Sequence, residues 1–236
     1  YALFIDEINR GNISRIFGEL ITLIEADKRA WWDEEDQLVD GMEITLPYSA
    51  ERFGVPKNLD IYATMNTADR SIALMDAALR RRFRFIELMP EPKQITGNQG
   101  DGYIPDGEGG LLSLRDLLNA INLRLRYLLH RDQTFGHAYF MEVKDIDSLR
   151  HAMVYDIIPM LAEYFYDDWQ QIRRVLADDT APAEHQIITR KILDPGQLFA
   201  GAEVDLPEKP DFRVKHPGEI TPDALRKIYD SLEMPA

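Results

Sequence analysis

Three short segments combine side chains that can do chemistry. The first is Ala2-Leu-Phe-Ile-Asp-Glu-Ile-Asn-Arg10. An apolar run ending in Asp6-Glu7 reads as a fully buried strand that delivers two carboxylates to the C-terminal edge of a parallel sheet, where open α/β folds bind ligands. There Asp6 can hold Mg²⁺ through its water shell, and Glu7 can take the proton of an attacking water. An Asp-Glu pair after a strand also serves as an ordinary helix cap. The second segment, Tyr62-Ala-Thr-Met-Asn-Thr-Ala-Asp-Arg-Ser71, ends another apolar strand with Asn66 at its tip. An amide at that edge can orient a water against a phosphate, whereas a turn capped by Ser71 is the plainer alternative. The third segment, Asp76-Ala-Ala-Leu-Arg-Arg-Arg-Phe-Arg-Phe85, places four arginines in five residues. Such a run is either a solvated basic face or a finger that reaches a neighbouring subunit's nucleotide. Together the three segments favour nucleotide hydrolysis over three unrelated structural features.

The elements that must position these residues follow from hydrophobic periodicity. Tyr1 to Ile5 and Leu59 to Met65 read as buried strands, and Phe83 to Leu88 alternates as a third. Ile13, Ile16, Phe17, Leu20 and Ile24 have helical spacing across 12–25, and 71–82 reads as helical in one or two pieces. Trp31 to Glu51 reads as a hairpin or loop insertion. Strands alternating with short helices argue for an α/β layer with a parallel sheet over 1–90. Three prolines and six glycines between Pro90 and Gly110 read as a linker over 91–110. Beyond it, Leu114, Leu117, Leu118, Ile121, Leu125 and Leu128 make a helical stripe, and 146–176 reads as two helices meeting near Pro159. The spacing thus predicts an all-α domain over 111–176 and an appendage of unassigned role over 177–236.

Composition bounds the possibilities. Of 236 residues, 45% are hydrophobic and 29% charged, with a net charge of -14. That acidity argues against a general nucleic-acid-coating role, because it repels phosphate backbones. The chain has no cysteine, which excludes disulfides and thiolate metal sites and fits a cytoplasmic protein. No apolar run approaches the roughly 18 residues of a membrane span, so no membrane partner is expected.

At this point the residues resemble a known family. Phe4-Ile-Asp-Glu-Ile-Asn-Arg-Gly-Asn12 and Met65-Asn-Thr-Ala-Asp-Arg-Ser71 are similar to the Walker B and signature motifs of McrB-type AAA+ GTPases from modification-dependent restriction systems. Leu46-Pro-Tyr-Ser49, Glu51-Arg-Phe-Gly-Val-Pro56 and Ala78-Leu-Arg-Arg-Arg-Phe83 look like that family too. Gly136-His-Ala-Tyr-Phe140 and the stretch from Tyr155 to Trp169 resemble its helical lid. The resemblance implies a partial AAA+ P-loop NTPase core, α/β in class, followed by an all-α lid. It implies Asp6 as the Mg²⁺-holding carboxylate, Glu7 as catalytic base and Asn66 as first sensor. Arg70, with Asp76 nearby, would belong to the loop that supports water activation. Arg81 or Arg82 would be the trans-acting finger, without a choice among the three consecutive arginines. Arg131 and His137 would sense nucleotide, although His137 equally suits a helix end.

The same resemblance implies GTP as fuel, a hexameric ring of this chain with itself and a McrC-like nuclease subunit. DNA would be met through an N-terminal domain outside this sequence. A G-x-x-x-x-G-K-[ST] loop, needed to wrap phosphates with backbone N–H groups and a lysine, does not occur in the 236 residues. In AAA+ order it precedes the Asp-Glu strand, so it is expected upstream of Tyr1 together with two central strands, and this stretch alone is expected to bind nucleotide poorly. Two alternatives stay open: a MoxR-like, ATP-driven remodelling protein, and a catalytically silent interaction module.

Overall fold

Strand β1 (Ala2–Ile5) pairs in parallel with a strand nearly sixty residues later, β6 (Asp60–Ala63). The register runs from Ala2 opposite Asp60 to Ile5 opposite Ala63. Parallel neighbours need a crossover, and here it carries one short helix and two hairpins. The computed structural model describes residues 1–66, 80–199, 206–230 and 232, which fall into two units, Tyr1–Glu87 and Leu88–Ala236.

In the first unit the helix expected over 12–25 is cut short. Helix α1 spans Ile13–Phe17, and a 3₁₀ turn continues over Gly18–Thr22. Gly18 sits at φ 51°, a left-handed backbone that glycine adopts freely and that ends the α-helix. The 31–53 insertion forms two antiparallel hairpins, β2 (Trp31–Trp32) with β3 (Leu38–Asp40) and β4 (Ile44–Thr45) with β5 (Arg52–Phe53). Arg29 anchors this insertion beside β6, donating to the carbonyls of Ile24 at 3.0 Å and Leu59 at 2.7 Å. Leu23, Ile24 and Val55 form a small buried core, and Ile8 and Ile13 form another; Ile21 and Phe83 pack against both.

Two expectations for this unit need correction. β1 is not fully buried: Leu3 and Phe4 are exposed, and Phe4 stacks on the exposed Tyr62 at 5.3 Å. A parallel strand reads as continuously apolar when layers cover both faces, and among the described residues only the face bearing Ile5 and Ile61 is packed. The third strand over 83–88 does not form either. Phe83 turns inward while Phe85, Ile86 and Leu88 stay exposed. Alternation makes a strand only where a neighbour accepts its ladder of hydrogen bonds, and among the described residues none pairs there. The helix expected over 71–82 falls mostly outside the described residues.

The second unit is built on helix α2 (Leu114–Leu128), capped by the Ser113 hydroxyl accepting from the Asp116 N–H at 3.2 Å. Its stripe of Leu114, Leu117, Leu118, Ile121 and Leu125 is wholly buried. Around it lie α3 (Ala138–Met141), α4 (Ile146–Ala152), α5 (Ile158–Tyr164) and α6 (Trp169–Val175). The break expected at Pro159 takes the form of a π-helical turn over Met153–Ile157, with the proline in the first turn of α5. A first-turn proline lacks only an N–H that the new α-helix does not need.

The segment read as a linker is instead ordered. It forms a hairpin of β7 (Tyr103–Pro105) and β8 (Leu111–Ser113), and Ile95, Ile104 and Leu112 enter the core. Its glycines and prolines make tight turns: Asp106 accepts from the N–H groups of Glu108 and Gly110, both at 2.8 Å, and from Arg226 at 2.7 Å. The tail is integral to the same unit. It supplies an antiparallel hairpin of β9 (Ile188–Leu193) and β10 (Lys209–Val214), with the short α7 (Pro195–Leu198) in its connection. Then α8 (Pro222–Asp230) packs Ala224, Leu225 and Ile228 into the core beside α2. The second unit thus keeps the helical stretch expected over 111–176 and adds a β-hairpin on either side of it in sequence.

Candidate functional site

Because β1 and β6 run parallel and end in register, the residues that follow each strand emerge side by side. The pairing continues one step beyond the strands: the Thr64 N–H donates to the Ile5 carbonyl at 3.0 Å, and the Ile8 N–H donates to the Thr64 carbonyl at 2.9 Å. Between these bonds lie Asp6 and Glu7. The Thr64 hydroxyl donates to Asp6 Oδ1 and accepts from the Glu7 N–H at 2.9 Å. One residue further on, Asn9 Nδ2 donates to the Asn66 carbonyl at 3.1 Å. The structure therefore brings the Asp6-Glu7 pair and the backbone of Asn66 together, from two separate segments of the sequence.

Glu7 has a left-handed backbone, φ 49° and ψ 50°. For a residue with a Cβ this costs roughly 1–2 kcal/mol, and such conformations persist where neighbours hold them, often at functional sites. The holding groups are visible here: the N–H groups of both Glu7 and Ile8 are bound to Thr64. The left-handed turn also ends β1 abruptly, so that Asp6 and Glu7 leave the strand edge. Glu7 Oε2 lies 2.5 Å from Arg10 Nε, an exposed i,i+3 pair that water can readily displace. Thr64, Asn9 and Arg10 are members of the cluster that sequence reasoning did not single out. Threonine is a common strand former, so nothing in its type distinguishes Thr64; only its place two residues before Asn66 hints at the role.

Among the described residues no cluster of three or more His, Cys, Asp or Glu side chains could enclose a metal. Mg²⁺ does not require one, since it keeps several waters and is usually held by one or two carboxylates together with substrate phosphates. Asp6 is exposed and has one oxygen held by Thr64, so its second oxygen is the one that fits such a role.

The arginine run separates into three environments. Arg80 lies over the Phe85 ring at 5.7 Å, Arg81 is exposed, and Arg82 is largely buried in an ion pair with Glu25 of the same unit. Arg70 and Asp76 lie outside the described residues. Arg131 and His137 belong to the second unit. Arg131 Nη2 lies 4.0 Å from Met89 Sδ, and His137 Nδ1 accepts from the Glu91 N–H at 3.1 Å at the start of α3. The loop carrying them is tied to α2 by Asn122, whose amide donates to the Phe135 carbonyl at 2.9 Å and accepts from the Phe135 N–H at 2.7 Å. No helix among the described residues is long and apolar enough to cross a membrane.

A family model described as an AAA domain of the dynein-related subfamily matches residues 1–83, and one described as the α-helical lid domain of McrB matches 113–173. The chain is 37% identical over 180 residues to the Type IV methyl-directed restriction enzyme EcoKMcrB subunit of Escherichia coli strain K12, covering 71% of this chain and 37% of that protein. It is 29% identical over 150 residues to the Type II restriction enzyme BsuMI component YdiS of Bacillus subtilis strain 168, covering 60% of this chain and 43% of that protein. The chain therefore spans less than half the length of either relative. An AAA domain joined to a McrB-type helical lid, with a carboxylate pair and an asparagine at one strand edge, makes this chain a McrB-type member of the AAA+ proteins.

Proposed function

We propose that the protein carrying this chain is a GTP-hydrolysing AAA+ motor subunit of a restriction complex acting on modified DNA. The observation that supports this most directly is the meeting of Asp6, Glu7 and Asn66 at the joint C-terminal edge of two parallel strands. Asp6 would hold Mg²⁺ through water, and the ion, when bound, would supply charge neutralisation for the nucleotide's phosphates. Asn66 orients the attacking water, and Glu7 accepts its proton once the contact with Arg10 is released. Arg70 and Asp76 support water activation from the signature loop. Arg81 is the finger offered to a neighbouring subunit of a hexameric ring, since Arg82 is engaged by Glu25 and Arg80 by Phe85. Arg131 belongs to the lid's nucleotide-sensing surface, while His137 fixes the start of α3. A McrC-like nuclease is the partner, DNA is met through another domain, and the complex works in the cytoplasm.

The test is turnover of GTP and ATP by the full-length protein, with Glu7→Gln as control. GTP turnover abolished by Glu7→Gln supports this reading, and turnover that survives the substitution removes Glu7 from its role. The dynein-related character of the matched AAA domain supports a second reading, ATP-driven remodelling of a protein partner. A preference for ATP over GTP would select it.

A further inference from the structure

A threonine hydroxyl has one proton to give and two lone pairs to receive with. At Thr64 the proton goes to Asp6 Oδ1 and a lone pair takes the Glu7 N–H at 2.9 Å. Its backbone meanwhile binds Ile5 through the N–H at 3.0 Å and Ile8 through the carbonyl at 2.9 Å. One residue of β6's extension thus contacts each of the four residues from Ile5 to Ile8. It also lies two positions before Asn66, so a single stretch of chain carries both the amide and the hydroxyl that organises the acid pair.

We propose that Thr64 is a positioning residue for hydrolysis, one that fixes the Asp6 carboxylate for the water shell of the metal and holds Glu7 in its left-handed turn. The proposal rests on the hydrolase reading above. With one Asp6 oxygen held by Thr64, the carboxylate has a set rotation and offers its other oxygen outward. With its N–H held, Glu7 keeps the backbone conformation that decides where its side chain starts. Both functions depend on the hydroxyl and neither on the methyl group. Valine keeps the β-branched shape but removes the donor from Asp6 and the acceptor from Glu7, whereas serine keeps both.

The experiment uses the full-length protein with Thr64→Val and Thr64→Ser. Two quantities are measured: GTP turnover, and Mn²⁺ binding followed by electron paramagnetic resonance in the presence of a non-hydrolysable GTP analogue. Partners that orient metal-holding groups typically matter by 10–100-fold, so Thr64→Val is expected to lower kcat by about that factor and to weaken Mn²⁺ binding about tenfold. KM for GTP should move much less than kcat, because the hydroxyl is assigned no contact with the nucleotide. Thr64→Ser is expected to restore both kcat and metal binding. A merely structural role would instead lower the active fraction without changing Mn²⁺ affinity. If Thr64→Val fails to fold, Thr64→Ala against Thr64→Ser decides on the same two readouts. Wild-type kcat and metal binding in Thr64→Val, or equal impairment in Thr64→Ser and Thr64→Val, would overturn the proposal while leaving the hydrolase reading intact. A wild-type protein that neither binds nor hydrolyses a nucleoside triphosphate would overturn both.

Discussion

Removing the Asp178 carboxylate should loosen the join between the tail and the helices of the second unit. Asp178 is completely buried and accepts three hydrogen bonds: from the Ile187 N–H at 2.9 Å, the Ile188 N–H at 2.7 Å and Lys227 Nζ at 2.7 Å. These donors come from the strand that opens the β9–β10 hairpin and from α8, so one carboxylate ties both tail elements to the end of α6. In Asp178→Ala two buried N–H groups lose their acceptor, at about 1–3 kcal/mol each. Lys227 loses its buried carboxylate partner while its bond to the Leu176 carbonyl at 2.8 Å remains, and breaking a buried ion pair costs about 3–5 kcal/mol. The losses share one cavity and do not add, so roughly 4–6 kcal/mol is expected in total. Against a typical domain stability of about 5–15 kcal/mol, that is enough to unfold the tail locally. Asp178→Asn should cost less, because its amide oxygen can still accept from the backbone. Lys227→Met in the Asp178→Ala background should recover part of the loss by removing a buried charge that has lost its carboxylate. Urea unfolding measures the total, and native-state hydrogen exchange at the Ile187 and Ile188 amides measures the local opening. A loss below about 1 kcal/mol in Asp178→Ala, the range of an exposed pair, would refute the reasoning.

The remaining predictions concern the site, the lid and pH. Glu7→Gln in the full-length protein should retain nucleotide binding and lower turnover by at least about 10²-fold, as expected for loss of a general base; steady-state GTP hydrolysis and filter binding separate the two effects. Arg81→Ala should reduce turnover in a way that mixing with Glu7→Gln subunits partly restores, whereas Arg82→Ala should chiefly lower thermal stability by releasing Glu25; absence of complementation by mixing counts against a finger at Arg81. Asn122→Leu should destabilise the 129–137 loop by about 1–3 kcal/mol by stranding both backbone groups of Phe135, read as faster exchange at the Phe135 amide. Burial lowers the Lys227 ammonium below the usual amine range, outweighing the attraction of Asp178. Between that lowered value and the ordinary lysine value the unfolded chain binds the extra proton, so this group's contribution to stability rises with pH through the window and is lost as pH falls through the folded value. Comparing wild type with Lys227→Met by urea unfolding at pH values descending from the ordinary lysine value should show that slope disappear.

Side-chain type and local spacing were enough to identify the acid pair, the asparagine, the arginine run and the long stripe of α2. Each of these signals is contained within one short segment. The capped start of α2 and the apolar positions from Leu114 to Leu125 needed no knowledge of what lies across from them. Long-range pairing decided the rest. Apolar alternation over 83–88 could not become a strand without a neighbour to complete its hydrogen bonds, and the apolar run of β1 could not be buried by its composition alone. The glycines and prolines of 91–110 looked like looseness, yet Ile95, Ile104 and the Asp106 turn fold that segment into the lid's core. The tail's short apolar runs carried no periodicity of note, but Asp178, Lys227 and α8 lock them in place. Most telling is Thr64, an unremarkable strand residue whose hydroxyl gained two partners 57 and 58 positions away only because β1 and β6 end in register. Sequence therefore determined which groups could do chemistry, and tertiary structure decided which of them meet, because hydrogen-bond partners across such separations are set by strand register and not by neighbours along the chain.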